Sequence, residues 1–146
     1  MRHSYFAYGS NLDAEQMRTR CPEARLLGPA ALSGHRLAFT GHSATWGGAV
    51  ATLCADPQRH VAGLLWSLSD ADLEHLDRRE GYPTVYQRRP LRVQRPGGLE
   101  EEALVYLKVD ARPARPTEAY LALIRRAYQR HGFDPAALTF ALEVRP

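Results

Sequence analysis

Lysine is almost missing from this 146-residue chain: Lys108 stands alone, and every other basic side chain is arginine, scattered along the sequence. The preference for arginine reads as coding bias as much as function. A formal net charge of +3 is not gathered into a basic face interleaved with stacking aromatics, so nucleic acid is not expected as a partner. Cysteine is equally sparse. Cys21 and Cys54 have neither the number nor the spacing of a metal knuckle or a disulfide framework, which leaves reduced thiols. No uncharged apolar run approaches the roughly 20 residues of a membrane span, and no basic-then-apolar leader pattern opens the chain. These absences point to a soluble, cytoplasmic protein. The six histidines show no H-E-x-x-H or similar spacing, so no metal and no cofactor are assigned. Ser10 lacks the G-x-S-x-G setting of a hydrolase nucleophile.

What is present reads as one domain spanning residues 1–146, without internal repeat, low-complexity tract or linker. Tyr5 to Tyr8 is a short aromatic strand stopped by Gly9. Asp13, with Gln16 three residues on, suggests a capping box for a helix to Arg20. Strands are expected over Ala30 to Phe39, Ala49 to Leu53 and Val61 to Leu68. Ser69 caps the next helix, with Leu68 and Leu73 as a hydrophobic staple, and Gly81 ends it. Val85 to Arg95 and Leu99 to Val109 flank Pro96-Gly97-Gly98 as an antiparallel pair. Thr117 opens a helix with Tyr120, Ile124 and Tyr128 on one face, closing at Gly132. Asp134-Pro135 starts another, with Pro135 at its first position. Strands first and helices last give an α+β class with a mixed or mostly antiparallel sheet.

Two stretches carry possible chemistry. Tyr8-Gly9-Ser10-Asn11-Leu12 joins a strand to a helix, where backbone N–H groups and the positive helix end form a candidate anion pocket. An ordinary tight turn is the simpler local reading. Glu80 sits at the C-terminal end of its helix, where the negative pole raises a carboxyl pKa, as suits a general acid or base. Arg78 and Arg79 oppose that shift, and a solvated surface carboxylate is the alternative. Trp46-Gly47-Gly48-Ala49 reads either as a substrate-covering loop or as a core anchor beside a turn. Tyr120, Ile124 and Tyr128 are most simply a core face.

Taken together, Tyr5-Phe6-Ala7-Tyr8-Gly9-Ser10-Asn11-Leu12, Trp46-Gly47-Gly48-Ala49-Val50-Ala51-Thr52 and Leu76-Asp77-Arg78-Arg79-Glu80-Gly81 resemble the γ-glutamylcyclotransferase family in order and spacing. The resemblance implies a small mixed β-barrel flanked by helices. It also implies an enzyme that cyclises a γ-glutamyl group to 5-oxoproline and releases the attached amine, with a small γ-glutamyl molecule as partner. By position, Tyr8, Gly9, Ser10, Asn11 and Leu12 match the loop that binds the γ-glutamyl head, Glu80 matches the catalytic glutamate, and Tyr86, Tyr106 and Tyr120 match pocket tyrosines. Y-G-S-N looks closer to the branch acting on γ-glutamyl amino acids than to the Y-G-S-L glutathione branch or the Y-G-T-L amine branch. The Ala111 to Arg115 stretch departs from the family pattern, which leaves the leaving group open. A monomer or a homodimer is expected. The rival readings are a cyclotransferase for glutathione or γ-glutamyl amines, and a non-catalytic binding module of the same fold.

Overall fold

The computed structural model describes residues 1–143. Its strands are β1 (Arg2–Ala7), β2 (Arg25–Ser43), β3 (Gly48–Ser69), β4 (Tyr86–Gln94) and β5 (Glu100–Lys108); its helices are α1 (Ala14–Arg20), α2 (Asp70–Glu80), α3 (Glu118–His131) and α4 (Ala136–Glu143). The strands close into a barrel in the order β1, β3, β2, β4, β5. All pairings are antiparallel except the closing contact of β1 with β5, where Tyr5 faces Leu104. Two of the seams are narrow: β1 meets β5 at Tyr5 and Leu104, and β2 meets β4 at Ala31 and Gln94.

Several local signals act as the sequence suggests. Asp13 accepts the Gln16 N–H at 2.9 Å and Ser69 accepts the Asp72 N–H at 3.1 Å, each a cap contributing about 1 kcal/mol. Gly81 ends α2 in the left-handed region at φ 70°, a conformation that costs glycine nothing. Leu68, Leu73 and Leu76 seat α2 on the barrel, and Tyr120, Ile124 and Tyr128 bury the face of α3. Pro96-Gly97-Gly98 turns β4 into β5, with Tyr86 opposite Lys108 at the far end.

Four expectations shift. β1 starts at Arg2 and ends at Ala7, leaving Tyr8 outside the strand. The segments around Leu53 and Val61 belong to one long β3: its pairing with β2 passes from Ala55 opposite His35 to His60 opposite Ser33, so the Asp-Pro signal marks a bulge within a strand. The Gln16 side chain does not close a capping box, because its amide donates instead to Ser10 Oγ and Asn11 Oδ1. Pro135 lies just outside α4, and its carbonyl accepts the first helical N–H groups, from Leu138 and Thr139.

Candidate active site

Where β1 ends, the chain makes a single 3₁₀ turn over Ser10–Leu12, beside a cavity of about 260 Å³. That is close to the lower end of the roughly 300–1,000 Å³ typical of small-ligand sites. One wall is the turn itself, Tyr8 to Asn11; Arg79 and Glu80 enter from the end of α2, and Arg20 from the end of α1. The opposite wall is Tyr86, Tyr106 and Lys108 from the β4–β5 pair, with His42 to Trp46 from the β2–β3 connection and Tyr120 from α3. The barrel thus brings together Tyr8, Gly9, Ser10, Asn11, Glu80, Tyr86, Tyr106 and Tyr120. Leu12 is the exception: it is fully buried in the core and lines no part of the cavity.

Asn11 is the hub. Its Nδ2 donates to Tyr5 Oη at 2.9 Å and to Glu80 Oε1 at 3.4 Å, while Oδ1 accepts from Arg20 Nη1 at 2.8 Å and Gln16 Nε2 at 3.0 Å. Both amide protons and the carbonyl oxygen are therefore spent on protein groups. Asn11 also lines the cavity, so its side chain joins the Glu80 carboxylate and the Arg20 guanidinium at the wall where substrate binding is expected.

Glu80 has a raised pKa, first because burial disfavours its charge; Arg20, Arg79 and Lys108 oppose the shift, as does the hydrogen bond from Asn11. The direction agrees with the expectation from the helix end, but the cause is desolvation inside the cavity. The groups expected to form the anion pocket, the helix end and the turn N–H groups, are partly taken up by protein. α1 has only seven residues, and its positive end is occupied by the Asp13 carboxylate. The Leu12 and Asp13 N–H groups are spent within the 3₁₀ turn, on the carbonyls of Gly9 and Ser10.

The tyrosines divide by what their hydroxyls do. Tyr8 donates to the Tyr106 carbonyl, Tyr86 to the Ala51 carbonyl at 2.9 Å, and Tyr106 to Asp77 Oδ1 at 2.6 Å. Arg88 grips both oxygens of Asp77 at 2.8 and 3.0 Å, which anchors Tyr106 in turn. Tyr120 instead accepts the Ala51 N–H at 2.9 Å, and Tyr5 accepts from Asn11. Among the described residues neither of these two hydroxyls donates to a protein acceptor, so each retains a proton to offer. Burial holds both phenols above their ordinary pKa, in the protonated donor form. Trp46 meets Tyr120 edge to face at 5.1 Å, so it packs on a buried ring while lining the cavity. Gly9 is closely packed: a Cβ would come to 3.2 Å from Ala51 Cβ and 3.3 Å from the Tyr120 hydroxyl, so either neighbour would have to give by a few tenths of an ångström.

Tyr5, Arg20 and Lys108 were not legible as site residues. Tyr5 belongs to the quoted motif, yet its hydroxyl reaches Asn11 only once the turn is formed. Arg20 and Lys108 carry no local signal that separates them from other surface cations. Cys21 is buried away from the cavity, and its thiol is pushed up to about 12, first by burial and then by Asp72.

Comparison with known proteins gives one consistent result. The family model described as "Gamma-glutamyl cyclotransferase, AIG2-like" matches residues 5–123. The human protein named gamma-glutamylcyclotransferase is 32% identical over 133 residues, spanning 88% of this chain and 71% of the relative; the bovine protein of that name is 30% identical over the same shares. A solved structure titled "Gamma-glutamyl cyclotransferase" superposes with a TM-score of 0.89 at 28% identity, covering all of this chain (100%) and 89% of its own. With the match running from β1 into α3 and taking in both the Tyr8 turn and Glu80, this chain belongs to the gamma-glutamyl cyclotransferase, AIG2-like family.

Proposed function

We propose that this protein converts γ-glutamyl compounds into 5-oxoproline and a free amine, by attack of the substrate's own α-amine on its γ-carbonyl. The observation that carries the reading is the bridge from Arg20 through Asn11 to Glu80, which sets one carboxylate of raised pKa beside the Tyr8 to Asn11 turn.

The glutamyl head lies against the turn, where Gly9 admits close backbone approach and Arg20 supplies positive charge for the α-carboxylate. The α-ammonium faces Glu80, which takes one proton from it. The freed nitrogen lone pair forms the new C–N bond of a five-membered ring, and the γ-carbonyl oxygen takes up the negative charge. Tyr120, whose proton no protein acceptor claims, stabilises that oxygen. Protonated Glu80 then returns its proton to the departing nitrogen, the original C–N bond breaks, the carbonyl re-forms, and the ring nitrogen gives up its second proton through Glu80 to the released amine, which leaves the neutral lactam. Both reacting ends belong to one molecule, so holding them in near-attack geometry replaces a covalent nucleophile.

Incubation with γ-Glu-Ala is expected to yield 5-oxoproline and alanine in equal amounts. Inactivity across γ-glutamyl dipeptides, glutathione and γ-glutamyl amines would overturn the reading in favour of a binding module.

A further inference from the structure

The charges lining the cavity do not balance. Arg20, Arg79 and Lys108 contribute three positive charges against the single carboxylate of Glu80. A γ-glutamyl head adds one ammonium and one carboxylate, which cancel each other and leave the excess in place. Arg20 bonds Asn11 and is assigned to the α-carboxylate of the head, and Arg79 is exposed at the end of α2, shared with a groove outside the cavity.

Lys108 differs from both. Its N–H donates to Thr52 Oγ1 at 2.9 Å, which fixes the backbone. Its stem lies so close to Gly41 that a Cβ there would come within 2.9 Å of Lys108 Cε. The ammonium stands 5.2 Å from the centre of the Tyr86 ring, within cation–π range. Among the described residues no carboxylate oxygen comes within the 4.0 Å of an ion pair with it. The neighbouring acid, Asp110, is gripped by Arg112 at 3.0 and 2.8 Å. The only lysine of the chain is thus half-buried in the cavity wall, its stem beside Gly41, with three charged donors unspent.

We propose that Lys108 is a specificity residue that binds a carboxylate carried by the departing amine. The inference rests on the proposed cyclisation, which places the head at the Tyr8 turn and leaves the Lys108 side for the departing part. The carboxylate has two possible sources, the α-carboxylate of the departing amino acid or one on its side chain.

The test compares kcat/KM for γ-Glu-Ala with γ-glutamyl-alaninamide, and for γ-Glu-Glu with γ-Glu-Gln, in the parent, Lys108→Met and Lys108→Gln. The parent is expected to prefer the substrate with the added carboxylate by about tenfold or more, as for a hydrogen bond to a charged group. Both variants should bring that ratio close to one, through KM rather than kcat. Collapse of the first ratio identifies the α-carboxylate, and collapse of the second the side chain. Both ratios unchanged in folded variants would overturn the proposal. Calorimetric binding of the same four compounds to Glu80→Gln and to Glu80→Gln/Lys108→Met decides the point without turnover. If the parent cyclises nothing, the functional reading fails, and a carboxylate preference that survives loss of Lys108 in binding would sink this inference separately.

Discussion

Asn11 Nδ2 donates to Glu80 Oε1 at 3.4 Å, joining residues 69 positions apart in the chain. The same amide accepts from Arg20, so three elements meet at one side chain: the 3₁₀ turn, the end of α1 and the end of α2. The proposed base is therefore held by the loop proposed to grip the substrate, and a disturbance at either is transmitted to the other.

The raised pKa of Glu80 has two measurable consequences. Deprotonation is required for a base, so the acidic limb of kcat/KM should lie above the ordinary glutamate range. Folding favours the protonated form, so the stability Glu80 contributes is complete below its unfolded pKa and lost as pH rises through the raised folded value. Glu80→Gln should accordingly melt above the parent at pH 7, with the difference vanishing toward about pH 4. A parent acidic limb in the ordinary glutamate range would count against burial as the cause.

Arg20→Met removes the strongest charge opposing the Glu80 shift. The acidic limb is expected to move to higher pH, so that activity falls more at pH 6 than at pH 8. Measured pH profiles showing an equal loss throughout would confine Arg20 to substrate binding.

Asn11→Asp keeps an oxygen for Arg20 but sets a second carboxylate beside Glu80. Like charges at such a distance raise one pKa further, and the acidic limb should climb again. Asn11→Leu leaves Arg20 and Gln16 without their shared acceptor and should cost about 1–3 kcal/mol in denaturant unfolding, together with most of kcat.

Tyr120→Phe retains the ring against Trp46 and Phe39 but leaves the buried Ala51 N–H without its acceptor. Stability should drop by about 1–3 kcal/mol. As the proposed oxyanion donor, Tyr120 should register in kcat more than in KM. A variant with reduced stability and unchanged kcat would leave the ring as packing alone.

The parts legible in the sequence were those that local chemistry decides. Ser69, Asp13 and Thr117 mark helix starts because a side-chain oxygen meets an N–H three residues on. The β4–β5 pair shows itself through a short glycine turn. The joining of β3 across its bulge was not visible, since Asp56-Pro57 looks the same in a turn as in a strand that keeps its partner. In the site, Glu80 and the Tyr8 turn stood out by motif, but their connection did not. Asn11 reads as a turn residue until Arg20 and Glu80 arrive from two different helices. Lys108 is one cation among many until barrel closure sets it in the cavity wall.

The central claim is that the substrate's own amine, deprotonated by Glu80, attacks the γ-carbonyl. Its most direct test is turnover of γ-Glu-Ala in heavy-oxygen water, with the glutamyl product identified by mass spectrometry for the parent and Glu80→Gln. The account predicts unlabelled 5-oxoproline from the parent, and a rate about 10²–10⁴-fold lower from a folded Glu80→Gln. Labelled glutamate from the parent, or an undiminished rate in the variant, would contradict it.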